Sequence, residues 1–105
     1  MLKLWVGMAS KIELHPEARQ DLIEVVEWYE NQKIGLGIEF FDHYRKTRDI
    51  ILEHPRLYRK TYRTFRKANV EKFPYCIIFK ADRQKLFILA IFHHKRNTEN
   101  WKNRI

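Results

Sequence analysis

Residues 86–92 read LFILAIF, and every one of these positions is apolar. A strand with one face in water alternates polar and apolar residues, whereas a strand covered on both faces is apolar throughout. The run is therefore predicted to be the central strand of a sheet. Each face of that sheet must then be covered by another layer, and the rest of the sequence indicates which segments can form these layers.

Shorter strands are predicted on either side of this run in the sequence. Residues 65–72 and 75–80 form two strands separated by Pro74, and the polar residues 81–85 connect the second of them to the central strand as a hairpin. Residues 56–62, rich in tyrosine and basic residues, are predicted to form a loop. Near the start of the chain, residues 11–14 alternate charged and apolar side chains, which indicates a short half-buried strand.

Two helices are predicted between the first strand and the loop. Pro16 suits a first helical position, and an apolar stripe then follows at helical spacing to about residue 32. Its members are Ala18, Leu22, Val25, Val26 and Tyr29. Gly35 and Gly37 supply a turn, and a second helix ends near His54, because the following proline disfavours helical geometry there. The short connection makes the pair an antiparallel helical hairpin.

The predicted fold class is α+β, a two-layer arrangement in which the helical hairpin packs on a small, mostly antiparallel sheet in the order β-α-α-β-β-β. The helices cover one face of the sheet. The other face is covered either by the C-terminal tail with Trp101 or by another protein. Trp28, Tyr29, Tyr44 and the phenylalanines are expected in the core, and Cys76 is expected to be buried in its strand.

Length and composition indicate one domain spanning residues 1–105, with residues 1–10 as a candidate N-terminal extension and both Met1 and Met8 as candidate start residues. The single cysteine fits a reducing cytoplasm. No apolar run approaches the roughly 20 residues that a membrane-spanning helix needs, and the N-terminus is too short in apolar residues for a signal peptide. We expect a cytoplasmic protein.

The net charge of +8 is distributed unevenly. Residues 1–53 hold 7 Lys and Arg against 10 Asp and Glu, a net charge of −3, whereas residues 54–105 hold 14 against 3, a net charge of +11. A strongly positive half attracts anionic partners, either nucleic acid or an acidic polypeptide. We therefore expect a binding face in the second half.

Several motifs together resemble the RelE/ParE-type toxins of type II toxin–antitoxin systems. They are FPYCIIF at 73–79, ILAIFH at 88–93, Arg96, the Trp101-x-x-Arg104 pattern, Pro16-Glu-Ala, Asp21-Leu22, Trp28-Tyr29 and His54-Pro55. The similarity covers about residues 11–104 and implies a helical hairpin on a small antiparallel sheet. It also implies a cognate antitoxin as partner and no cofactor.

The family resemblance leaves the target open. RelE-like members cut messenger RNA on the ribosome, and ParE-like members poison DNA gyrase by protein contact. The closing pattern of His93-x-x-Arg96 and Trp101-x-x-Arg104 resembles the ParE branch, and the Arg-x-x-Tyr-like terminus of several ribonuclease members is absent. We therefore expect inhibition of a protein target such as gyrase. The alternatives are a ribosome-dependent messenger RNA endoribonuclease and a non-toxic binding module of the same fold.

Candidate catalytic residues apply to the ribonuclease alternative. His93 is the candidate acid or base, because histidine titrates near neutral pH. Arg63, Arg66, Lys72 and Arg96 are candidates to stabilise the charge of the reacting phosphate, and Tyr75 is a candidate to supply a proton. No metal site is expected, because His93 and His94 are neighbours on a strand and point to opposite faces.

Candidate residues for binding the target or the antitoxin are Arg63, Tyr75, Trp101 and Arg104. Arginine and aromatic side chains dominate protein interfaces. Aromatic residues interleaved with Arg59 and Lys60 can alternatively stack on bases.

Overall fold

The computed structural model describes residues 11–82, 85–96 and 100–105. The candidate N-terminal extension and the tip of the hairpin predicted at residues 81–85 lie outside the described residues. The elements, in chain order, are β1 (Lys11–Leu14), α1 (Pro16–Gln32), α2 (Leu36–Glu53), a 3₁₀ turn (Pro55–Leu57), β2 (Lys60–Tyr62), β3 (Phe65–Asn69), β4 (Tyr75–Ala81), β5 (Lys85–His93) and a C-terminal 3₁₀ turn (Asn100–Arg104).

The strands form one sheet in the order β1-β5-β4-β3-β2, in which β1 runs parallel to β5 and the other neighbours are antiparallel. The predicted α+β architecture is confirmed. The sheet has one strand more than the sequence indicated, because β2 forms within the segment predicted to be a loop. This three-residue edge strand faces solvent and therefore lacks the apolar alternation by which strands are recognised.

Strand β5 is covered on both faces, as its composition predicts. Leu86, Ile88 and Ile91 belong to the core under the helices, whereas Leu89 and Ala90 belong to a second core on the outer face of the sheet. The pairing with β4 shifts register at this point. A bulge of this kind places two successive residues on one face.

The C-terminal turn supplies the second layer. Trp101 is only 5% exposed and packs in the outer core with Phe65, Ile78 and Leu89. The ring of Tyr62 meets the ring of Trp101 edge-on, with the centroids 5.8 Å apart. Of the two alternatives for covering the outer face, the tail is therefore the one observed.

The helical hairpin depends on a close turn. Gly35 has a φ of +91°, a conformation that glycine adopts without steric cost. The Glu30 carboxylate accepts hydrogen bonds from the N–H groups of Gly35 (2.9 Å) and Gly37 (3.0 Å), which satisfies donors at the start of α2. A Cβ atom on Gly37 would lie 2.5 Å from the carbonyl oxygen of Val26, so the two helices approach too closely there for a side chain.

The core prediction was wrong for two aromatic residues. The Trp28 side chain is 56% exposed and that of Phe41 is 36% exposed, whereas Tyr44 and Cys76 are buried as expected. Phe41 lies on the solvent side of α2, with the Arg45 guanidinium 5.7 Å from its ring centre. No helix in the described part of the chain is long and apolar enough to cross a membrane.

Candidate functional site

A cleft of about 290 Å³ lies between α1 and the edge of the sheet where β4 begins and β5 ends. Its lining residues are Asp21, Glu24, Val25 and Trp28 from α1, and Tyr75, Ile91, Phe92, His93 and Arg96 from the sheet side. An adjoining pocket of about 360 Å³ shares Trp28, Tyr75, His93 and Arg96 with the cleft and is also lined by Tyr29 and Lys95. The cleft therefore combines exposed aromatic surface with both carboxylates and cations.

The cleft exists because β5 is longer than its parallel neighbour. The pairing of β1 with β5 ends at Ile88, whereas β5 continues to His93. Beyond that point, two side chains form hydrogen bonds with the backbone of β5 along the edge that β1 leaves unpaired. The Asp21 carboxylate accepts a hydrogen bond from the Ile91 N–H (3.0 Å), and the Arg104 guanidinium donates to the Leu89 carbonyl (3.1 Å). These side chains satisfy backbone groups that a longer β1 would have paired.

The same two side chains bind each other. The Nη1 atom of Arg104 lies 2.7 Å from Oδ2 of Asp21, and its Nη2 lies 3.2 Å from Oδ1. The Nε atom of Arg104 also lies 3.0 Å from the Glu17 carboxylate. The hydrogen bond with Asp21 is the main reason why the pKa of Arg104 is raised above its usual value. The C-terminal turn is thereby tied to the first turns of α1.

His93 is held at the mouth of the cleft by two contacts. Its Nδ1 atom accepts a hydrogen bond from the Lys95 N–H (3.0 Å), so in the neutral ring the proton resides on Nε2. The imidazole meets the ring of Tyr75 edge-on, with the centroids 5.1 Å apart. Tyr75 is itself 4% exposed. Its burial raises the pKa of the phenol, while the positive charge of Arg96 acts in the opposite direction.

The candidate catalytic residues do not all meet in one place. His93 and Arg96 line the cleft, whereas Arg66 and Lys72 do not. Arg66 lies opposite Phe79 in the sheet, about 13 Å along β4 from Tyr75, and its guanidinium donates to the Tyr58 carbonyl at 2.7 Å. Lys72 occupies an exposed turn with a φ of +70°.

The four candidate binding residues fall in two places. Tyr75 lines the cleft and Arg104 bonds the strand edge beside it, whereas Arg63 and Trp101 both contact the ring of Tyr62. Arg63 is exposed, with its guanidinium 5.0 Å from the Tyr62 ring centre. Trp101 and Arg104 both have structural roles, and contact with a partner stays a prediction for them.

Six lining residues of the cleft were not among the sequence candidates, and three of these form one surface of α1. Asp21, Glu24 and Trp28 follow one another at spacings of three and four, which places them in one row along α1. That row lies beside the apolar stripe. The two acidic residues in it are the sequence signal that Trp28 lies outside the core. Within the described ranges, no three His, Cys, Asp or Glu side chains are arranged to hold a metal ion.

Comparison with known proteins gives a family and a fold. The family profile described as "ParE toxin of type II toxin-antitoxin system, parDE" matches residues 12–98. A solved structure entitled "Chromosomal ParDE TA system from P. aeruginosa" superposes with a TM-score of 0.68 at 12% sequence identity, covering 82% of this chain and 97% of the other. No curated protein sequence gives a significant match.

Proposed function

This chain belongs to the ParE toxin family of type II toxin–antitoxin systems, and from that membership we propose that it arrests growth by binding a protein target such as DNA gyrase. We further propose that it acts in the cytoplasm, in a plasmid-stabilisation-like system, and that a cognate antitoxin neutralises it.

The observation that carries this proposal is the separation of the nuclease candidates. Metal-free RNA cleavage needs an acid, a base and cations around one phosphate. Arg66 is bonded to a backbone carbonyl remote from His93, and Lys72 is on a turn outside the cleft. His93, Tyr75 and Arg96 line the cleft together. Arg66 and Lys72, which were expected to share the charge of the reacting phosphate, are absent from its lining.

The exposed apolar side chains support protein binding. Trp28 stands at the rim of the cleft with more than half of its side chain exposed. Other large apolar side chains are exposed along the helical hairpin and just after it: Ile23, Ile34, Ile38, Ile50 and Leu57. Exposed apolar surface in a small domain commonly marks a protein interface, and tryptophan is the residue type most enriched among interface anchors.

The charge distribution supports an acidic antitoxin. Lys95 and Arg96 stand at the exposed end of the cleft, next to the aromatic surface of Trp28. An antitoxin segment that is acidic and partly disordered before binding would neutralise these cations while it covers the apolar surface. A reading frame for a small acidic protein beside this gene would support the pairing.

A ribosome-dependent endoribonuclease, or messenger RNA interferase, is the second candidate function. It is favoured by the contact of His93 with Tyr75 and by the presence of Arg96 in the same cleft. A non-toxic binding module of the same fold is the third.

Two measurements after induction of the toxin in cells separate these functions. The supercoiling of a reporter plasmid reports on gyrase, and primer extension on translated messenger RNA reports on cleavage. We expect loss of negative supercoiling with intact messenger RNA. New cleavage sites with unchanged supercoiling would establish the ribonuclease function instead, and normal growth with neither change would establish the non-toxic module.

A further inference from the structure

The cleft beside α1 has charges of opposite sign at its two ends, and we propose that it selects a segment of the antitoxin by the order of that segment's side chains. The matching segment carries a basic side chain beside Glu24, an apolar one against Trp28 and an acidic one beside Lys95 and Arg96. The inference rests on the proposed function, because it takes the cleft as the place where this protein partner docks. Its new element is the assignment of the residues that discriminate between partners.

The opposite charges line different parts of the cleft. Glu24 lines only the pocket of about 290 Å³, whereas Lys95 lines only the adjoining pocket of about 360 Å³. Trp28 and Arg96 line both pockets. The Trp28 indole therefore lies between the carboxylate of Glu24 and the ammonium group of Lys95. Glu24 and Trp28 are four residues apart on α1, which corresponds to about 6 Å along the helix axis.

The second carboxylate of the cleft is already neutralised. Asp21 binds the Arg104 guanidinium at 2.7 and 3.2 Å. Glu24 is exposed, as are Lys95 and Arg96. In the described part of the chain, no ion pair joins any of these three side chains to another residue. They are therefore the charges in the cleft that a partner can pair.

The floor between the charged ends is apolar and already packed. Val25, Tyr75 and Ile91 line it, and they are 7%, 4% and 2% exposed. The Trp28 side chain beside them is 56% exposed. An apolar side chain of a partner can cover the indole and contact this floor without reorganising it, which lowers the entropic cost of binding.

The backbone that carries the two cations is held in place as well. The Lys95 N–H donates to Nδ1 of His93 at 3.0 Å, and the Arg96 N–H donates to the His93 carbonyl at 3.2 Å. The His94 N–H donates to the Pro74 carbonyl at 2.9 Å, which ties this turn to the segment before β4. The cationic end therefore has a defined position relative to the floor.

The two ends of the cleft reject different partners. A segment with carboxylates throughout places one of them beside Glu24, and a segment with cations throughout places one beside Lys95 and Arg96. Both contacts are repulsive, so the cleft discriminates by repulsion as well as by attraction. A nucleic acid strand is disfavoured like the acidic segment, because a phosphate would face Glu24. A mixed segment satisfies both ends when its basic and apolar side chains lie about 6 Å apart, the span of one helical turn or of two residues in a strand.

The test begins with selection of short peptides from a randomised phage-displayed library on the full chain. Enriched peptides should carry a basic and an acidic residue on opposite sides of an apolar one. A labelled peptide of the most frequent sequence should bind Trp28→Ala about tenfold or more weakly than the wild type, measured by fluorescence anisotropy. Enrichment of purely acidic peptides, or of none, would overturn the proposal.

Charge reversal then tests the order of the side chains. Glu24→Lys should weaken binding of the selected peptide by about fivefold, and replacement of the peptide's basic residue by glutamate should restore the affinity to within about twofold. Arg96→Glu should be rescued by a lysine at the acidic position of the peptide and not by a change at its basic position. Loss of affinity without this pattern of rescue would contradict the assignment of the two ends.

The matched controls are Glu27→Lys and Lys46→Glu, which reverse charges at exposed helix positions outside the cleft. Their affinity should stay within about twofold of the wild type, because distant surface charges are screened. An equal loss in the controls would overturn the proposal, since binding would then follow net charge alone. Circular dichroism melts establish that all variants are folded.

Plasmid supercoiling, measured separately, keeps this inference distinct from the proposed target. Rescue by charge reversal together with unchanged supercoiling would support the cleft assignment and reject gyrase as the target. Loss of supercoiling without any rescue would support the target and overturn the cleft assignment.

Discussion

Arg104 and Asp21 lie 83 residues apart in the sequence and form a two-point ion pair, with N–O distances of 2.7 and 3.2 Å. Each partner also bonds the free edge of β5, Asp21 at the Ile91 N–H and Arg104 at the Leu89 carbonyl. The pair therefore completes the sheet where β1 ends, and it fastens the C-terminal turn across the domain. The cleft opens immediately beside it.

Removal of Arg104 should destabilise the fold. The side chains of Arg104 and Asp21 are 19% and 20% exposed, so Arg104→Ala leaves a largely buried carboxylate and a strand carbonyl without their partner. We expect a loss of about 2–3 kcal/mol in the free energy of unfolding, measured by urea denaturation. Arg104→Lys, which keeps the charge but not the two-point geometry, should recover part of it. A change below about 0.5 kcal/mol in Arg104→Ala would contradict this role.

The two tryptophans should separate stability from binding. Trp101→Ala empties a position in the outer core and should cost about 3–5 kcal/mol, which lowers the melting temperature steeply in a domain of this size. Trp28→Ala removes an equal side chain from a largely exposed position and should cost below about 1 kcal/mol. Similar melting temperatures for the two variants would show that Trp101 is not the residue that closes the outer face.

Antitoxin binding should weaken with salt without disappearing. Cations at the end of the cleft contribute a screened attraction, and the exposed apolar surface contributes a part that salt does not weaken. Titration calorimetry with the cognate antitoxin at several ionic strengths measures both parts. An affinity that is independent of ionic strength would remove the electrostatic contribution.

The Cys76 thiol should be unreactive in the folded protein. Its side chain is fully buried, and burial raises the pKa of the thiol to about 11. Titration with a thiol reagent at pH 8 should detect almost no thiol in the native protein and one per chain in urea. Because the folded pKa is above the unfolded value of 9.0, this group's contribution to stability should decline as the pH rises from about 9 to about 11. Rapid labelling of the native protein would contradict the burial.

Much of the fold could be predicted from local sequence signals. The all-apolar run at β5 indicates a strand with two covered faces, and Pro16 and Pro55 mark the start of α1 and the end of α2 because proline restricts backbone geometry. Strand β2 gave no such signal. This strand forms because its backbone pairs with β3, a contact that the local sequence does not indicate. A short edge strand that faces solvent also needs no apolar pattern.

The site was less predictable because long-range contacts build it. The local sequence around Asp21 indicates only a favourable charge near a helix N-terminus, whereas its bonds to Ile91 and Arg104 require the folded sheet. Trp28 is predicted in the core together with the other large aromatic residues of the helices. Only the length difference between β1 and β5, visible in the structure, explains why that side of α1 borders an open cleft.

The most direct test of the central claim is inhibition of supercoiling by purified gyrase, with wild-type toxin and the variants His93→Gln and Trp28→Ala. A toxin that acts by protein contact should inhibit with His93→Gln within about threefold of the wild type, since the loss of one rim contact is usually mild. Trp28→Ala should be weaker by about tenfold or more, because tryptophan anchors dominate interfaces. The contradicting result is a wild-type toxin that leaves gyrase unaffected but cuts translated messenger RNA, with His93→Gln slowing the cleavage by roughly 10²–10⁴-fold.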